Sequence, residues 1–237
     1  MTEPARPGHP DIEIISASTA FERFLRMEVI CFRHRLFGGE WSAPVTHDVL
    51  RRGAAVAVVL YDPDRDRVVL VEQLRMPALL AGASPWQVEI VAGLVGAGEA
   101  PNEVAIRETR EEAGLALAGE LVPIQRYLPS PGDSDESVML FCARVDASAA
   151  GGVHGLPEEG EDIRVVVKSV AEVEAMLDAG AVENGHTLVA LYWLLRHRER
   201  LRRLWGAAPA PPPHPAPLPT GPGRQRRLNE SSCAGQG

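Results

Sequence analysis

Three glutamates, Glu108, Glu111 and Glu112, lie close together in a segment whose sequence predicts a helix. Proline at position 101 suits the first helical turn and Gly114 suits the position just past the last one, so we expect a helix over 101–113. The three carboxylates then fall within an arc of about 100° on one face. Carboxylates placed in this way can share a hard divalent cation, and such a cation also binds phosphate oxygens. The spacing therefore predicts metal-dependent hydrolysis of a diphosphate linkage.

The alternative interpretation of this face is a solvated acidic surface with no further role. Arg107 and Arg110 interleave with the glutamates only partly. Acidic charge near the carboxyl end of a helix is also disfavoured by the helix dipole. Because a bound cation would offset this repulsion, we favour the metal-binding interpretation.

The elements around this helix follow from the apolar pattern. Strands are predicted at 54–60 and 68–72, joined as a hairpin by the polar turn 62–66, and further strands at 86–92, 138–145 and 163–167. Helical periodicity is found at 102–113, 170–179 and 187–205. On the last of these helices, one face is predicted to carry Leu188, Leu191, Tyr192 and Leu195. Residues 38–52 have no strong core pattern and are interpreted as loop or edge strand. Strands and helices are mixed along the chain, so the predicted fold class is α+β.

The composition is that of an ordinary globular protein, with 237 residues, 45% hydrophobic residues and a net charge of −8. The acidic balance argues against a general affinity for nucleic acid or anionic membranes. No run approaches the roughly 20 apolar residues of a membrane span, and the polar start is unlike a secretion signal, so we expect a cytoplasmic location. Cys31, Cys142 and Cys233 are widely spaced, which predicts neither a disulfide framework nor a zinc site.

The last segment, 206–237, changes character abruptly, being rich in proline and glycine with almost no large apolar residue. This composition predicts a disordered tail. The short basic patch at 224–227 is interpreted as a solvated part of that tail rather than as a site for an acidic partner.

The motif around the predicted helix resembles the Nudix box. Gly93 is followed by Glu99 and then by Arg-Glu-Thr-Arg-Glu-Glu-Ala-Gly-Leu at 107–115. The departure is Thr109, where the family usually has an aliphatic residue. The resemblance implies the Nudix α/β/α sandwich with a mixed sheet, spanning 51–205 and preceded by a small N-terminal β region at 1–50.

The resemblance also implies a metal site for Mg2+ or Mn2+. Glu108 and Glu112 match the principal metal ligands, and Glu111 an additional or water-mediated one. The backbone carbonyl of Ala92 is a further implied ligand. Arg107 is expected to orient the glutamates by ion pairing, and Glu99 to brace the loop.

Outside the box, several segments resemble the bacterial ADP-ribose pyrophosphatases of this family: 32–37, 72–75, 130–136 and 154–165. This likeness implies hydrolysis of ADP-ribose to AMP and ribose 5-phosphate. It further implies that the diphosphate is bound by Arg52 and Arg75, and that other substrate contacts come from Leu94, Ser130, Pro131, Gly132 and Glu136. Phe24 and Leu25 match residues that stack on the adenine, partly from the second subunit of a homodimer. His47 and Asp48 depart from an Arg-Glu pair expected at that dimer site.

The acidic loop 158–162 would by itself be interpreted as a solvated turn. Hydrolysis nevertheless needs a base near the metals, and a carboxylate loop can supply one. The resemblance implies that Glu159 is this base and that Glu161 is a metal ligand. Glu136 is the implied supporting carboxylate and the alternative base.

Two other functions remain open on the sequence. One is hydrolysis of another nucleoside diphosphate sugar such as GDP-mannose, and the other is a non-catalytic sensor of ADP-ribose. Sensors typically lose carboxylates of the box or add a DNA-binding module. Glu108, Glu111, Glu112 and Glu159 are all present, and no basic helix-turn-helix region follows, so catalysis is the favoured prediction.

Overall fold

The computed structural model describes residues 8–208 of the chain. The tail predicted to be disordered therefore lies outside the described residues from position 209 onward. No helix within the described range is both long and apolar enough to cross a membrane.

The described residues form eleven strands and four α-helices, with two short 3-10 helices at Ala147–Ala149 and Pro157–Glu159. The strands are β1 (Ile12–Glu22), β2 (Arg26–His34), β3 (Val45–Arg51), β4 (Ala54–Asp62), β5 (Arg67–Leu74), β6 (Trp86–Glu89), β7 (Val91–Leu94), β8 (Val122–Tyr127), β9 (Ser137–Arg144), β10 (Val153–His154) and β11 (Ile163–Ser169). The helices are α1 (Met76–Leu80), α2 (Pro101–Ala113), α3 (Val170–Asp178) and α4 (Gly185–Leu204).

The strands form two sheets. β1, β2 and β3 make a small antiparallel sheet at the N-terminus, with β2 in the middle. The other eight make a mixed sheet in the order β10-β11-β5-β4-β9-β8, to which β6 adds beside β5 and β7 beside β4. Its one parallel pair within the described residues is β4 with β9. The predicted α+β class and the α/β/α sandwich with a separate N-terminal β region are confirmed.

β4 is the centre of the sandwich, because both of its faces are buried. Ala57, Val59 and Tyr61 pack into a core with α3 and α4, whereas Val56, Val58 and Leu60 pack into a second core with α2. Alternate residues of a strand point to opposite faces, so a continuous apolar run fits a strand covered on both sides. The two cores hold α2 and α4 on opposite sides of one sheet.

Local signals account for the bounds of α2, which are those predicted. Pro101 opens the helix, and the Glu103 carboxylate accepts a hydrogen bond from the Ala100 amide at 3.1 Å. Gly114 ends the helix in the left-handed conformation with φ 65°, which glycine adopts without strain. The predicted single strand at 86–92 is wrong in detail, because the chain changes partners at Ile90 and forms β6 and β7.

Candidate active site at one end of the mixed sheet

The topology gathers the predicted site residues at one end of the mixed sheet. β4 and β9 are parallel and start level, with Ala54 opposite Ser137. β5 runs antiparallel to β4, so it finishes at the same end. The segments flanking these strand ends carry Arg52, Arg75 and Glu136, and β7 brings Leu94 opposite Ala55. Residues from four separate parts of the sequence therefore lie together at one end of the sheet.

At this end of the sheet, two glutamates of α2, Glu108 and Glu112, are partly or fully buried. The Glu112 side chain is buried, and its Oε2 accepts a hydrogen bond from the Ala92 amide at 3.1 Å. Burial raises the pKa of Glu112 to about 8, and the negative charges of Glu108 and Glu161 act in the same direction. Burial likewise raises the pKa of Glu108 to about 7, although Arg107 opposes the rise. The predicted ligands Glu108, Glu112 and Glu161 thus lie near enough to repel one another.

Arg107 holds the outer carboxylates of the motif. Its guanidinium donates to Glu99 at 3.0 Å, to Glu108 at 2.8 Å and to Glu111 at 3.0 Å. These contacts are the ion pairs that the resemblance implied. They fix Glu108 and Glu111 on one side of the helix and tie the helix to the preceding loop.

Thr109, the departure from the family pattern, is fully buried on α2. Its hydroxyl donates to the carbonyl of Ala105 at 2.7 Å, one turn earlier. A buried hydroxyl costs free energy unless it is hydrogen-bonded, and this bond satisfies it. A threonine at position 109 is therefore accommodated within the helix itself.

The carboxylates fit a divalent cation chemically. Among residues 8–208, no three acidic, histidine or cysteine side chains converge on one point at ligand spacing. Arg107 holds Glu108 and Glu111, and the Ala92 amide holds Glu112. However, the raised pKa values of Glu108 and Glu112 record buried negative charge that a cation would neutralise. Gly93 also makes room for this charge, because a Cβ there would lie 1.8 Å from Glu108 Oε1.

Arg75, a predicted phosphate ligand, is oriented by a glutamate that the sequence analysis missed. Glu89 is almost fully buried and accepts from Arg75 Nε at 3.1 Å and Nη2 at 2.8 Å. It also accepts from Gln73 at 3.3 Å and from Asn184, the N-cap residue of α4, at 3.0 Å. Burial by itself would lower the pKa of Arg75, but Glu89 and then Glu112 and Glu161 raise it. Arg75 therefore pairs with Glu89 and also lies close enough to Glu112 and Glu161 to be influenced by their charges.

A local signal for Glu89 did exist. Gln87 and Glu89 occupy the alternate, buried positions of β6. A carboxylate at the buried phase of a strand needs a partner, because leaving it unpaired costs several kcal/mol. The pattern could have predicted a buried cation nearby, but not that the cation was Arg75.

We predict that Glu89→Gln raises the KM for a diphosphate substrate about tenfold and changes kcat less than about threefold. Glutamine keeps the size of the side chain but loses the charge that fixes Arg75. Steady-state kinetics at saturating metal would measure both constants. Glu72→Gln is the matched control, because Glu72 pairs with Arg164 on the neighbouring strand. An unchanged KM in a folded Glu89→Gln protein would contradict the positioning role.

The loop between β8 and β9 holds the other predicted substrate residues. Ser130, Pro131 and Gly132 are exposed, and the Ser130 hydroxyl donates to Asp133 at 2.5 Å. Farther along, Glu136 accepts from Arg52 Nε at 3.1 Å, so two predicted ligands form an ion pair.

Asp135, which was also missed, ties this loop to the N-terminal sheet. Its carboxylate accepts from the Arg52 amide at 2.7 Å and from Arg51 Nε at 2.6 Å. Arg51 in turn donates to the buried Glu28 of β2 at 2.7 Å. The position of Arg52 therefore depends on contacts from both sheets.

The acidic loop before β11 brings Glu161 to the site but leaves Glu159 in solvent. The Gly155 amide donates to the carbonyl of Glu111, which attaches this loop to α2. Glu161 Oε2 accepts from the Leu156 amide at 3.0 Å. Glu159 ends a 3-10 turn, Pro157–Glu159, and is exposed. Its role as base stays a prediction.

Phe24 and Leu25 lie in the turn between β1 and β2. Phe24 is 86% exposed, and Leu25 is partly buried. The hydrogen bonds that join the N-terminal sheet to the mixed-sheet domain run instead through Leu50, Arg51 and Arg52. No contact that the structure gives for residues 8–208 brings Phe24 or Leu25 to the cleft, so their predicted role with adenine stays a prediction.

Comparison with known proteins identifies the class to which this cleft belongs. The NUDIX domain model matches residues 51–190, which include the carboxylate helix and most of the mixed sheet. The chain therefore belongs to the Nudix family, as the resemblance predicted.

Individual relatives extend the likeness beyond that domain. The chain is 39% identical over 202 residues to an ADP-ribose pyrophosphatase of Escherichia coli strain K12, covering 85% of this chain and 96% of that protein. It is 39% identical over 208 residues to an ADP-ribose pyrophosphatase of Haemophilus influenzae, covering 86% and 95%. A GDP-mannose pyrophosphatase of Citrobacter koseri is 31% identical over 152 residues, covering 62% of this chain and 76% of that protein.

A solved structure shares the fold. The crystal structure of an ADP compounds hydrolase superposes with a TM-score of 0.62 at 19% sequence identity. The match covers 86% of this chain and 100% of the other.

Proposed function

We propose that this protein is an ADP-ribose pyrophosphatase that hydrolyses ADP-ribose to AMP and ribose 5-phosphate. The observation that carries this proposal is the extent of the likeness. The 39% identity to ADP-ribose pyrophosphatases spans nearly their whole length and extends over 202 residues, beyond the residues 51–190 that match the NUDIX domain. The likeness to GDP-mannose pyrophosphatases is weaker and shorter.

The proposed metal is Mg2+ or Mn2+, held by Glu108, Glu112, Glu161 and the carbonyl of Ala92, with Glu111 as a further or water-mediated ligand. When bound, the metal would supply positive charge at the diphosphate and at the attacking water. Nudix hydrolases generally require a divalent cation, and the buried charge of the glutamates supports this donor set.

The remaining residues bind and orient the substrate. Arg52 and Arg75 donate to the two phosphates, and Glu89 keeps the Arg75 guanidinium facing the metal-site carboxylates. Leu94 and the loop 130–132 are proposed to make further contacts with the substrate. Glu159 accepts the proton of the attacking water, and the water oxygen bonds to the adenosine-side phosphorus. The bond from this phosphorus to the bridging oxygen breaks, so ribose 5-phosphate leaves.

A substrate panel tests the proposal. We expect the highest kcat/KM for ADP-ribose among ADP-ribose, GDP-mannose and other nucleoside diphosphate sugars, each measured with Mg2+ and with Mn2+. A higher value for GDP-mannose would replace the substrate assignment. Binding of ADP-ribose without turnover in either metal would favour the sensor.

We also propose that the protein acts as a homodimer through its N-terminal sheet. This sheet exposes large apolar side chains at Ile12, Ile14, Ile15, Phe21, Phe24, Met27 and Val45. Exposed apolar patches of this kind mark interaction surfaces. A second copy covering the patch would bring Phe24 and Leu25 towards a neighbouring cleft, with His47 and Asp48 altering the contacts there. Light scattering would give the mass in solution, and a monomer at micromolar concentration would contradict the dimer.

We place the protein in the cytoplasm. Cys31 and Cys142 are free thiols, and burial raises the pKa of Cys142 above its ordinary range. Unpaired cysteines are typical of reducing compartments. With a net charge of −8, the protein is proposed to have no general affinity for nucleic acid or membranes.

The raised pKa values predict how metal and pH act together on stability. A glutamate in the unfolded chain has an ordinary pKa of 4.5, whereas Glu112 in the folded protein has a pKa of about 8, so the folded state binds this proton more tightly. Without metal, the stability that the proton contributes is therefore fully present below pH 4.5 and is lost as the pH rises towards 8. We expect the melting temperature in EDTA to fall by about 5 °C between about pH 6 and about pH 8.5. Adding Mg2+ should raise the melting temperature more at the higher pH, because the cation then displaces fewer protons from the glutamates.

Thermal unfolding followed by circular dichroism would measure these shifts. Glu112→Gln should abolish most of the fall in EDTA, because the titrating carboxylate is gone. A melting temperature in EDTA that rises over the same pH interval would show that the buried carboxylates do not destabilise the fold.

A further inference from the structure

Tyr127 and His186 form a pair that has no role in the chemistry described above. Tyr127 ends β8, and His186 lies in the first turn of α4. The Tyr127 hydroxyl makes a hydrogen bond with His186 Nδ1, and the two rings meet edge to face with centroids 5.8 Å apart. Both side chains are half-buried.

The pair lies beside the candidate active site. Tyr127 is opposite Val138, close to the start of β9, and Asn184, two residues before His186, donates to the Glu89 carboxylate that also holds Arg75. Four charged groups act on His186: Glu136 and Glu89 favour its protonation, whereas Arg52 and Arg75 oppose it. Each of them belongs to the proposed substrate cleft or positions a residue there. Glu136 also acts on Tyr127. The pair therefore lies on the α4 side of the sheet end, across from the carboxylates of α2.

The hydrogen bond sets the tautomer of His186. Burial raises the pKa of Tyr127 to about 12, so the phenol keeps its proton at neutral pH. Burial lowers the pKa of His186, so its ring is neutral. A protonated phenol donates and the Nδ1 of a neutral ring accepts, which leaves the ring proton on Nε2. Among residues 8–208, Nε2 has no hydrogen-bond partner in the structure. It is a neutral donor on a ring that lies within reach of the charges of Glu136 and Arg52.

A neutral donor next to a carboxylate suits a sugar hydroxyl. The negative phosphates are already matched by the charged Arg52 and Arg75. Glu136 gives Oε1 to Arg52, and Oε2 remains able to accept a hydrogen bond. A hydroxyl group both donates and accepts, so it can use His186 Nε2 and Glu136 Oε2 together.

We propose that His186, held in one tautomer by Tyr127, is a specificity-determining residue that donates to a ribose hydroxyl of the substrate. This inference rests on the proposed function, because ADP-ribose carries two riboses. A site that hydrogen-bonds a substrate hydroxyl discriminates strongly against analogues that lack it.

Product affinity tests the inference without requiring turnover. AMP carries one ribose and ribose 5-phosphate carries the other, and calorimetry with Mg2+ would give the Kd of each for the full chain. We expect His186→Phe to weaken one product by about 3- to 10-fold, the value of one neutral hydrogen bond, and to leave the other unchanged. The product that weakens identifies the ribose. His186→Gln keeps an N–H donor and should recover much of the affinity.

Two further variants separate this role from a structural one. Tyr127→Phe keeps the His186 ring but frees its tautomer, so it should weaken the same product by about 2- to 3-fold. This variant also decides the matter if His186→Phe does not fold. His197→Phe is the matched control on α4, where His197 stacks on Trp193 away from the cleft.

Equal weakening of both products, or of neither, in folded His186 and Tyr127 variants would overturn the inference and leave the pair a structural contact. Wild-type turnover of ADP-ribose tests the proposed function separately. Turnover without any effect of His186 on product affinity would reject only the inference.

Discussion

Replacing Glu112 with glutamine should lower kcat/KM for ADP-ribose by about 10^3-fold or more. Glu112 is the most buried carboxylate of α2, and its Oε2 accepts from the Ala92 amide. A glutamine oxygen can keep that hydrogen bond, so the local backbone should stay in place. What is lost is the negative charge proposed to hold the cation against the diphosphate. The effect should therefore fall on catalysis rather than on folding.

Two measurements distinguish this loss from misfolding. The melting temperature of Glu112→Gln without metal should equal or exceed that of the wild type at about pH 8, because a buried charge has been removed. The Mg2+ concentration for half-maximal activity should rise at least about tenfold. Glu199→Gln, an exposed glutamate on α4, is the control and should change neither value. A decrease in kcat/KM of less than tenfold would show that Glu112 is not a principal ligand.

The part of the fold that could be predicted is the part set by local chemistry. Pro101 and Gly114 bound α2 because each acts through its own backbone geometry. The hairpin of β4 and β5 was visible because both strands are buried, apolar and close in sequence. For residues 86–92, in contrast, the prediction of a single strand was wrong in detail. The segment looks like one strand, but β6 pairs with β5 and β7 with β4, a choice that the local sequence does not contain.

The helix α4 shows a similar limit. Leu191, on the predicted shared face, is buried, but the buried residues of this helix also include Ala190, Leu194 and Leu201, and Tyr192 is 57% exposed. Small and long apolar residues alternate around this helix, so several faces have similar hydrophobicity. The sheet beneath the helix decides which of them is buried.

The site residues also fall into those that the local sequence predicts and those that it does not. The glutamates of α2 were predictable because their spacing on one helix already implied a shared function. Glu89, Asp135 and His186 were missed because each acts on a partner many residues away: Arg75, Arg51 with Arg52, and Tyr127. Only the sheet topology brings these pairs together.

We expect Glu159→Gln to lower kcat for ADP-ribose by about 10^3-fold and to change KM less than about threefold. A base needs a free carboxylate that can reach the attacking water. Glu159 is exposed, and Glu161, two residues further on, lies close enough to Glu112 to raise its pKa, so we expect a movement of their loop to bring Glu159 to the proposed metal ligands. Glu136, the alternative base, already accepts from Arg52. Glu136→Gln should therefore act mainly through the position of Arg52, raising KM about tenfold.

The metal dependence of the variants distinguishes the base from the metal ligands. Glu159→Gln should leave the Mg2+ concentration for half-maximal activity unchanged, because a base does not hold the cation. Glu161→Gln should raise that concentration, because Glu161 is a proposed ligand that acts on both Glu108 and Glu112. Glu158→Gln, on the same turn, controls for a general effect of charge in the loop. A larger loss of kcat in Glu136→Gln than in Glu159→Gln would assign the base to Glu136. The loop before β11 would then contribute only the metal ligand Glu161.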